Sequence, residues 1–143
     1  ILPIGLGARD TLRLEMGYCL YGNELDENIS PINAGLEWII KRDKKFINSN
    51  SFLKEINDGP KDKLIGFELI KRAIPRSNYS ILNQNEESIG RVTSGIFSPS
   101  LEKGIGLGYV KATELKKNNK IKIDIRGKAE EALIVKLPFY KKY

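Results

Sequence analysis

From residue 61 onward the sequence is a series of short β-rich runs, and this pattern constrains the fold more than any other feature. The runs are separated by clusters of Asn, Gly, Ser and Pro, and they read LIGFELI, SILN, SIGRVTSG, GIGLGYV, KIKIDIRG and ALIVKLPFY. Short strands at regular spacing are typical of an antiparallel sandwich or barrel. The KIKIDI run alternates strictly, so we expect Ile121, Ile123 and Ile125 to share one face. The segment NQNEE is predicted to be a hairpin loop.

The first segment of the chain has helical spacing instead. Ala8, Leu12 and Met16 recur at i, i+4 and i+8 between Gly5 and Gly17. This spacing predicts a helix, and Gly17 is a suitable residue to end it.

Two further helix starts precede the β-rich part. Ser30-Pro31 predicts a short helix, although its end, LEWIIK, is equally compatible with a strand. FLKEIND predicts a helix of about two turns that the sequence Asp58-Gly59-Pro60 ends. We therefore predict an α+β chain with a boundary near residues 59–63. Residues 1–60 would be an α/β portion of one domain, and residues 61–143 an all-β domain.

Composition excludes several classes of chemistry. The chain has 143 residues, no histidine and a single cysteine, Cys19. A zinc site and a histidine-dependent triad are therefore not expected, and we predict no metal site. The net charge is +6, but acidic residues lie between most of the basic ones. This favours a solvated surface, or attraction to an anionic small molecule or acidic partner, over nucleic acid. No apolar run approaches the roughly 20 residues that span a bilayer, so no membrane partner is expected.

Arg9 is the residue in the first helix that best fits a ligand contact. Arg9 and Arg13 are four residues apart on one face, and Asp10 is placed to neutralise Arg13. Arg9 is then left uncommitted beside Gly5 and Gly7, where a guanidinium could clamp a carboxylate or phosphate. An interdomain salt bridge is the structural alternative.

Several stretches together resemble the aminomethyltransferase, or T-protein, family of the glycine cleavage system. They are GLGARDTLRLEMGYCLYGNELDENISPINAGLEWI, IPR, IGRVTSGIFSPSLEKGIGLGYV and VKLPFYK, in the family's order. The resemblance implies the C-terminal part of a folate-binding α/β domain (1–60) followed by an all-β antiparallel barrel domain (61–143). Because the family's chains are much longer, we expect these residues to be the C-terminal portion of a longer chain.

The resemblance also implies an activity. Family members take the aminomethyl group from the lipoyl arm of H-protein, release ammonia and form 5,10-methylenetetrahydrofolate. Tetrahydrofolate (a co-substrate) and lipoylated H-protein are therefore the expected partners, in the cytoplasm or, in a eukaryote, the mitochondrial matrix. The family's catalytic aspartate and its pterin-binding glutamate are expected upstream. We thus expect no catalytic residue in this chain and no turnover by it alone.

Three residues are carried over as folate-site candidates. Arg9 matches the family arginine that contacts the glutamyl or benzoyl end of folate. Tyr18 matches a position where an aromatic ring lies against the flat ligand, with a core tyrosine as the alternative. Glu15 is expected either to contact folate or to orient Arg9 without touching the ligand itself.

Other conspicuous residues are predicted to be structural. Trp38 and Cys19 are expected to pack, and residues 94–101 (SGIFSPSL) to form a loop. Gly104, Gly106 and Gly108 are expected to allow close packing. Two other functions stay open: the folate domain of a sarcosine or dimethylglycine dehydrogenase-like protein, and a noncatalytic docking module.

Overall fold

A computed structural model describes residues 1–115 and 119–141 of the chain. In these two ranges the fold comprises three α-helices, one short 3-10 helix and six β-strands. The helices are α1 (Leu6–Glu15), the 3-10 helix (Glu37–Ile39), α2 (Ser49–Asp58) and α3 (Ala112–Leu115). The strands are β1 (Asp62–Leu69), β2 (Ser80–Leu82), β3 (Ser88–Ser98), β4 (Lys103–Lys111), β5 (Lys120–Ile125) and β6 (Lys128–Val135).

The six strands close into an antiparallel barrel in the order β1-β4-β3-β2-β5-β6, with β6 pairing back onto β1. Closure leaves no sheet edge, which removes the tendency of an open edge to pair with another chain. The prediction of an α+β chain with an antiparallel barrel is confirmed. The predicted hairpin loop is also present, because the Asn83 amide donates to the Glu87 carbonyl between β2 and β3. Residues 142–143 of the predicted β domain lie outside the described residues.

The barrel interior is filled by alternate side chains of its strands. Ile121 and Ile123 are buried there as predicted, and Ile125 is partly buried against the same cluster. Burial of such side chains stabilises each by about 1.5–3 kcal/mol relative to exposure. The other buried members of this core are Ile65, Phe67, Leu69, Ile81, Ile89, Val92, Val110 and Ala132.

The three glycines of β4 lie where another chain segment comes too close for a side chain. A Cβ atom at Gly106 would lie 2.5 Å from the ring of Phe67, and one at Gly104 would lie 2.3 Å from the Ala73 carbonyl oxygen. Gly108 has the same constraint against the Arg91 carbonyl. The prediction that these glycines serve close packing is therefore confirmed.

Helix α1 packs against the outside of the barrel. Leu14 is fully buried in a second apolar cluster with Ile105 and Leu107 of β4 and with Phe139. The chain after β6 returns to the end of α1, where the Tyr140 amide donates to the Glu15 carbonyl. The barrel wall therefore acts as the platform on which α1 is mounted.

Four sequence predictions differ from the structure. Residues 31–40 form turns and the short 3-10 helix, because Gly35 has a φ of 72° and ends the helical turn that Ser30 begins. Trp38 lies in that 3-10 helix and is 78% exposed, so it does not pack. Cys19 is only half-buried.

Residues 94–98, predicted as a loop, extend β3, whose pairing with β4 runs through Ser98 and Lys103.

Candidate functional site

Helix α1 ends in a turn that fixes the backbone of the segment after it. Gly17 has a φ of 69°, its amide donates to the Leu14 carbonyl, and the Tyr18 amide donates to the Arg13 carbonyl. These two bonds are the Schellman motif, which requires the left-handed conformation that glycine adopts without strain. The predicted end of the helix at Gly17 is confirmed, and Tyr18 is held directly over the last turn of α1.

The apolar stripe that predicted α1 does not face the barrel. Ala8, Leu12 and Met16 are exposed, whereas Leu14 and Glu15 carry the buried face. Helical spacing therefore located the helix correctly, but it did not identify which face packs on the barrel.

Arg9 lies on the exposed surface of α1. Asp10 pairs with Arg13 at 2.7 Å, as the spacing predicted. Within residues 1–115 and 119–141, Arg9 takes part in no ion pair or hydrogen bond. Its guanidinium is therefore available to an anionic or carbonyl oxygen, and an interdomain salt bridge is not formed among the described residues.

Arg13 is the most highly connected side chain of the region. Its Nε donates to Asp10 Oδ1 at 2.7 Å, and its Nη1 donates to the Tyr18 carbonyl at 3.2 Å and to Glu24 Oε2 at 3.1 Å. Its Nη2 donates to Ser94 Oγ of β3 at 2.8 Å. The side chain is only 11% exposed. One guanidinium thus joins α1, the segment after it and the barrel wall.

Tyr18 presents its ring to solvent. The side chain is 61% exposed, while its amide and carbonyl are both bonded to Arg13. Among the described residues Tyr18 is therefore not part of a core. An exposed ring on a fixed backbone is suited to lie against a flat ligand.

Glu15 is placed differently from the other two candidates. It is 3% exposed, and its two carboxylate oxygens accept hydrogen bonds from Ser98 Oγ and Ser100 Oγ. Six residues separate it from Arg9, which is about 120° around a helix of 3.6 residues per turn. These contacts favour an orienting role in which Glu15 fixes α1 on the barrel. A direct contact with folate stays a prediction.

Glu24 was missed by the sequence reasoning. It is fully buried, and its Oε2 accepts from the Leu20 amide as well as from Arg13, while its Oε1 has no hydrogen-bond partner in the part of the chain that the structure describes. Its backbone carbonyl accepts the Tyr109 hydroxyl at 2.8 Å. The sequence did contain a signal for the Ser94 end of the Arg13 network. Ser94 lies in the middle of an apolar strand, and a buried hydroxyl there needs a hydrogen-bond partner.

Two groups near Glu24, the Cys19 thiol and the Tyr109 hydroxyl, have pKa values that are raised mainly by burial. Burial, followed by the charge of Glu24, raises the pKa of the Cys19 thiol, although Arg13 partly opposes this. Burial also raises the pKa of Tyr109, with smaller contributions from Cys19, Glu24 and Asp26. Both groups therefore keep their protons at neutral pH and act as hydrogen-bonding or apolar groups rather than as anions.

A cavity of about 290 Å³ lies at the mouth of the barrel. Its lining includes Ile89, Val110 and Ile121 with a polar rim at Asn83 and Glu87, and it includes none of the three folate-site candidates. In the described ranges, no group of three or more Cys, Asp or Glu side chains is arranged to hold a metal ion. None of the helices in these ranges is long and apolar enough to cross a membrane.

Comparison with known proteins decides the family. The sequence model described as "Glycine cleavage T-protein C-terminal barrel domain" matches residues 63–141. The chain belongs to the glycine cleavage T-protein family. A second model, "GCVT N-terminal domain", matches residues 1–44 and so covers α1 and the segment around Tyr18 and Glu24. The boundary predicted near residues 59–63 stays a prediction.

Curated relatives of this T-protein chain carry the name aminomethyltransferase. Those of Bacteroides thetaiotaomicron and Flavobacterium psychrophilum are 54% and 52% identical, over 99% of this chain and 40% and 39% of theirs. That of Halothermothrix orenii is 51% identical over 97% of this chain and 39% of its own. The chain therefore spans about two fifths of the length of the relatives it matches.

A solved structure has the same fold. The crystal structure of glycine cleavage system aminomethyltransferase T from Bartonella henselae matches with a TM-score of 0.88 and 34% sequence identity. The match covers 96% of this chain and 39% of that one. The architecture of α1 mounted on a six-stranded barrel is therefore similar to that of a family member.

Proposed function

We propose that this chain provides part of the folate site of a tetrahydrofolate-dependent aminomethyltransferase. The full reaction transfers the aminomethyl carbon from the lipoyl arm of H-protein to tetrahydrofolate and releases ammonia. The names of the relatives favour this activity over a dehydrogenase or a docking module. No carboxylate among these residues is assigned the catalytic role, because the most buried ones are already held by hydrogen bonds within the chain.

Arg9 carries the proposal. It is an exposed arginine without a partner among the described residues, on a helix that the barrel holds in place. A planar guanidinium binds a carboxylate or carbonyl oxygen with two parallel donors. In this proposal Arg9 binds an anionic or carbonyl oxygen of tetrahydrofolate, and the Tyr18 ring borders the same ligand. Glu15 fixes the helix beneath them.

The test is the affinity of Arg9 variants for tetrahydrofolate in the full polypeptide that contains these residues. A hydrogen bond to a charged group contributes about 1.5–3 kcal/mol, so Arg9→Ala should raise the Kd by about ten- to a hundredfold. Arg9→Lys should recover only part of the affinity, because an ammonium lacks the planar fork. Calorimetric titration measures both.

Arg42→Ala is the matched control, because Arg42 is also an exposed arginine of the first 60 residues. It should leave the Kd unchanged. If Arg9→Ala instead lowers the melting temperature and leaves the Kd within about twofold of the unsubstituted protein, Arg9 is a structural residue and the proposed site is wrong.

A further inference from the structure

Arg13 uses its whole hydrogen-bonding capacity within the region around α1. A guanidinium has five N–H donors. Its Nε–H bonds Asp10, its two Nη1 hydrogens have acceptors in the Tyr18 carbonyl and Glu24, and its Nη2 has Ser94 at 2.8 Å and the Asp10 carboxylate at 2.7 Å. No donor of this side chain is left to bind a ligand.

The four groups that Arg13 joins belong to separate parts of the chain. Asp10 directly follows Arg9 on α1, Tyr18 begins the segment after the helix, and Ser94 belongs to the barrel strand β3. Glu24 is fully buried and also accepts the Leu20 amide, so the Tyr18 segment is anchored at a second point. Arg13 therefore bonds all three parts through a single side chain, whereas Glu15 with Ser98, and Asn23 with Ser94, each join only two of them.

We propose that Arg13 is the positioning residue of the folate site, which fixes the Arg9 helix and the Tyr18 backbone in the arrangement that binds the ligand. This inference rests on the proposed function. Arg13 does not touch the ligand in this account. It acts through Arg9 and Tyr18, and its loss should therefore reduce folate affinity even when the protein remains folded.

The variant for the test is Arg13→Lys. Lysine keeps a positive charge beside the buried Glu24, which avoids leaving that carboxylate without a counter-charge. A single ammonium with three donors cannot reach the acceptors on Asp10, Tyr18, Glu24 and Ser94 together. The Kd for tetrahydrofolate, measured on the full polypeptide well below its melting temperature, should rise about tenfold, the equivalent of one lost hydrogen bond.

Thr93→Ala is the matched control. Thr93 directly precedes Ser94 on β3 and is also buried, but its hydroxyl has no hydrogen-bond partner among the described residues. The substitution should leave the Kd unchanged. Ser94→Ala, which removes the barrel contacts of Arg13 and Asn23 and leaves the other bonds of Arg13 in place, should raise the Kd about threefold. It keeps the test decisive if Arg13→Lys does not fold.

Two further readouts separate positioning from simple structural loss. Hydrogen exchange at the Leu20 amide, which donates to Glu24, should accelerate in Arg13→Lys and not in Thr93→Ala. In an Arg9→Ala background, Arg13→Lys should raise the Kd by well under tenfold, because residues that act through one another are not additive.

The outcomes are distinguishable. If the unsubstituted protein does not bind tetrahydrofolate, the proposed function fails and the positioning role fails with it. If the unsubstituted protein binds and Arg9→Ala weakens binding, but Arg13→Lys and Ser94→Ala keep the original Kd, the positioning role alone is overturned. Fully additive effects of Arg9→Ala and Arg13→Lys would also overturn it.

Discussion

The barrel and the 60 residues before it are stabilised in different ways. In the barrel, strand alternation places large apolar side chains in a closed interior. In the first 60 residues, α2 has no buried residue, and α1 buries only Leu14 and Glu15. Of the sixteen large hydrophobic side chains exposed among the described residues, twelve belong to residues 1–47.

This difference shows where the geometry of the candidate site comes from. Because apolar contacts between α1 and the barrel are few, the orientation of the helix depends on polar joints: Arg13 with Ser94, and Glu15 with Ser98 and Ser100. Hydrogen bonds are directional, whereas apolar packing is not. The barrel therefore supplies stability, and the joints supply the orientation that a binding site needs.

The largest loss of folding stability is expected for a substitution at the centre of the barrel. Phe67 is fully buried, so Phe67→Ala should lower the free energy of unfolding by about 3–5 kcal/mol. Trp38→Ala, in the first region, should change it by no more than about 0.5 kcal/mol because Trp38 is exposed. Urea denaturation of both variants checks the pair, and equal losses would remove the distinction between the regions.

Glycines of the two regions should respond in opposite directions. A Cβ atom at Gly90 of β3 would lie 2.0 Å from the Tyr109 carbonyl oxygen, so Gly90→Ala should destabilise the protein by about 1–3 kcal/mol. At Gly7 of α1, no atom of the described residues lies within 4 Å of the corresponding Cβ position. Gly7→Ala should be neutral or stabilise by up to about 1 kcal/mol. A destabilising Gly7→Ala would mean that α1 is packed more tightly than described.

The joint between the regions should weaken at high pH. The pKa values of Cys19 and Tyr109 are raised in the folded state, so the unfolded chain loses these protons first as the pH rises. Stability is thus fully present below the ordinary thiol and phenol pKa values and falls above about pH 9, by at most about 1.4 kcal/mol per pH unit for one group. Tyr109→Phe should flatten this slope. If the free energy of unfolding of Tyr109→Phe falls with pH as steeply as that of the unsubstituted protein, the raised pKa of Tyr109 is not the cause.

The sequence predicted most of the barrel and less of the first region, for a physical reason. Strand alternation and glycine placement are local signals, so KIKIDI and GIGLGYV located β5 and β4 correctly. The Asp10–Arg13 pair was also local, at i and i+3. The bonds of Arg13 to Glu24 and Ser94 join residues 11 and 81 positions apart, and no local pattern reports such contacts. The exposed position of Trp38 was missed because the helical turn that Ser30 begins ends at Gly35, before Trp38.

Hydrogen exchange with and without tetrahydrofolate distinguishes a ligand site at α1 from one in the barrel. In the full polypeptide, added ligand should slow exchange in residues 7–20 and leave strands β1–β6 unchanged, because the Arg9 and Tyr18 surface lies outside the barrel. Slowed exchange at the barrel mouth around Ile89, Val110 and Ile121, with no change in residues 7–20, would show that the ligand binds in the barrel and not at α1.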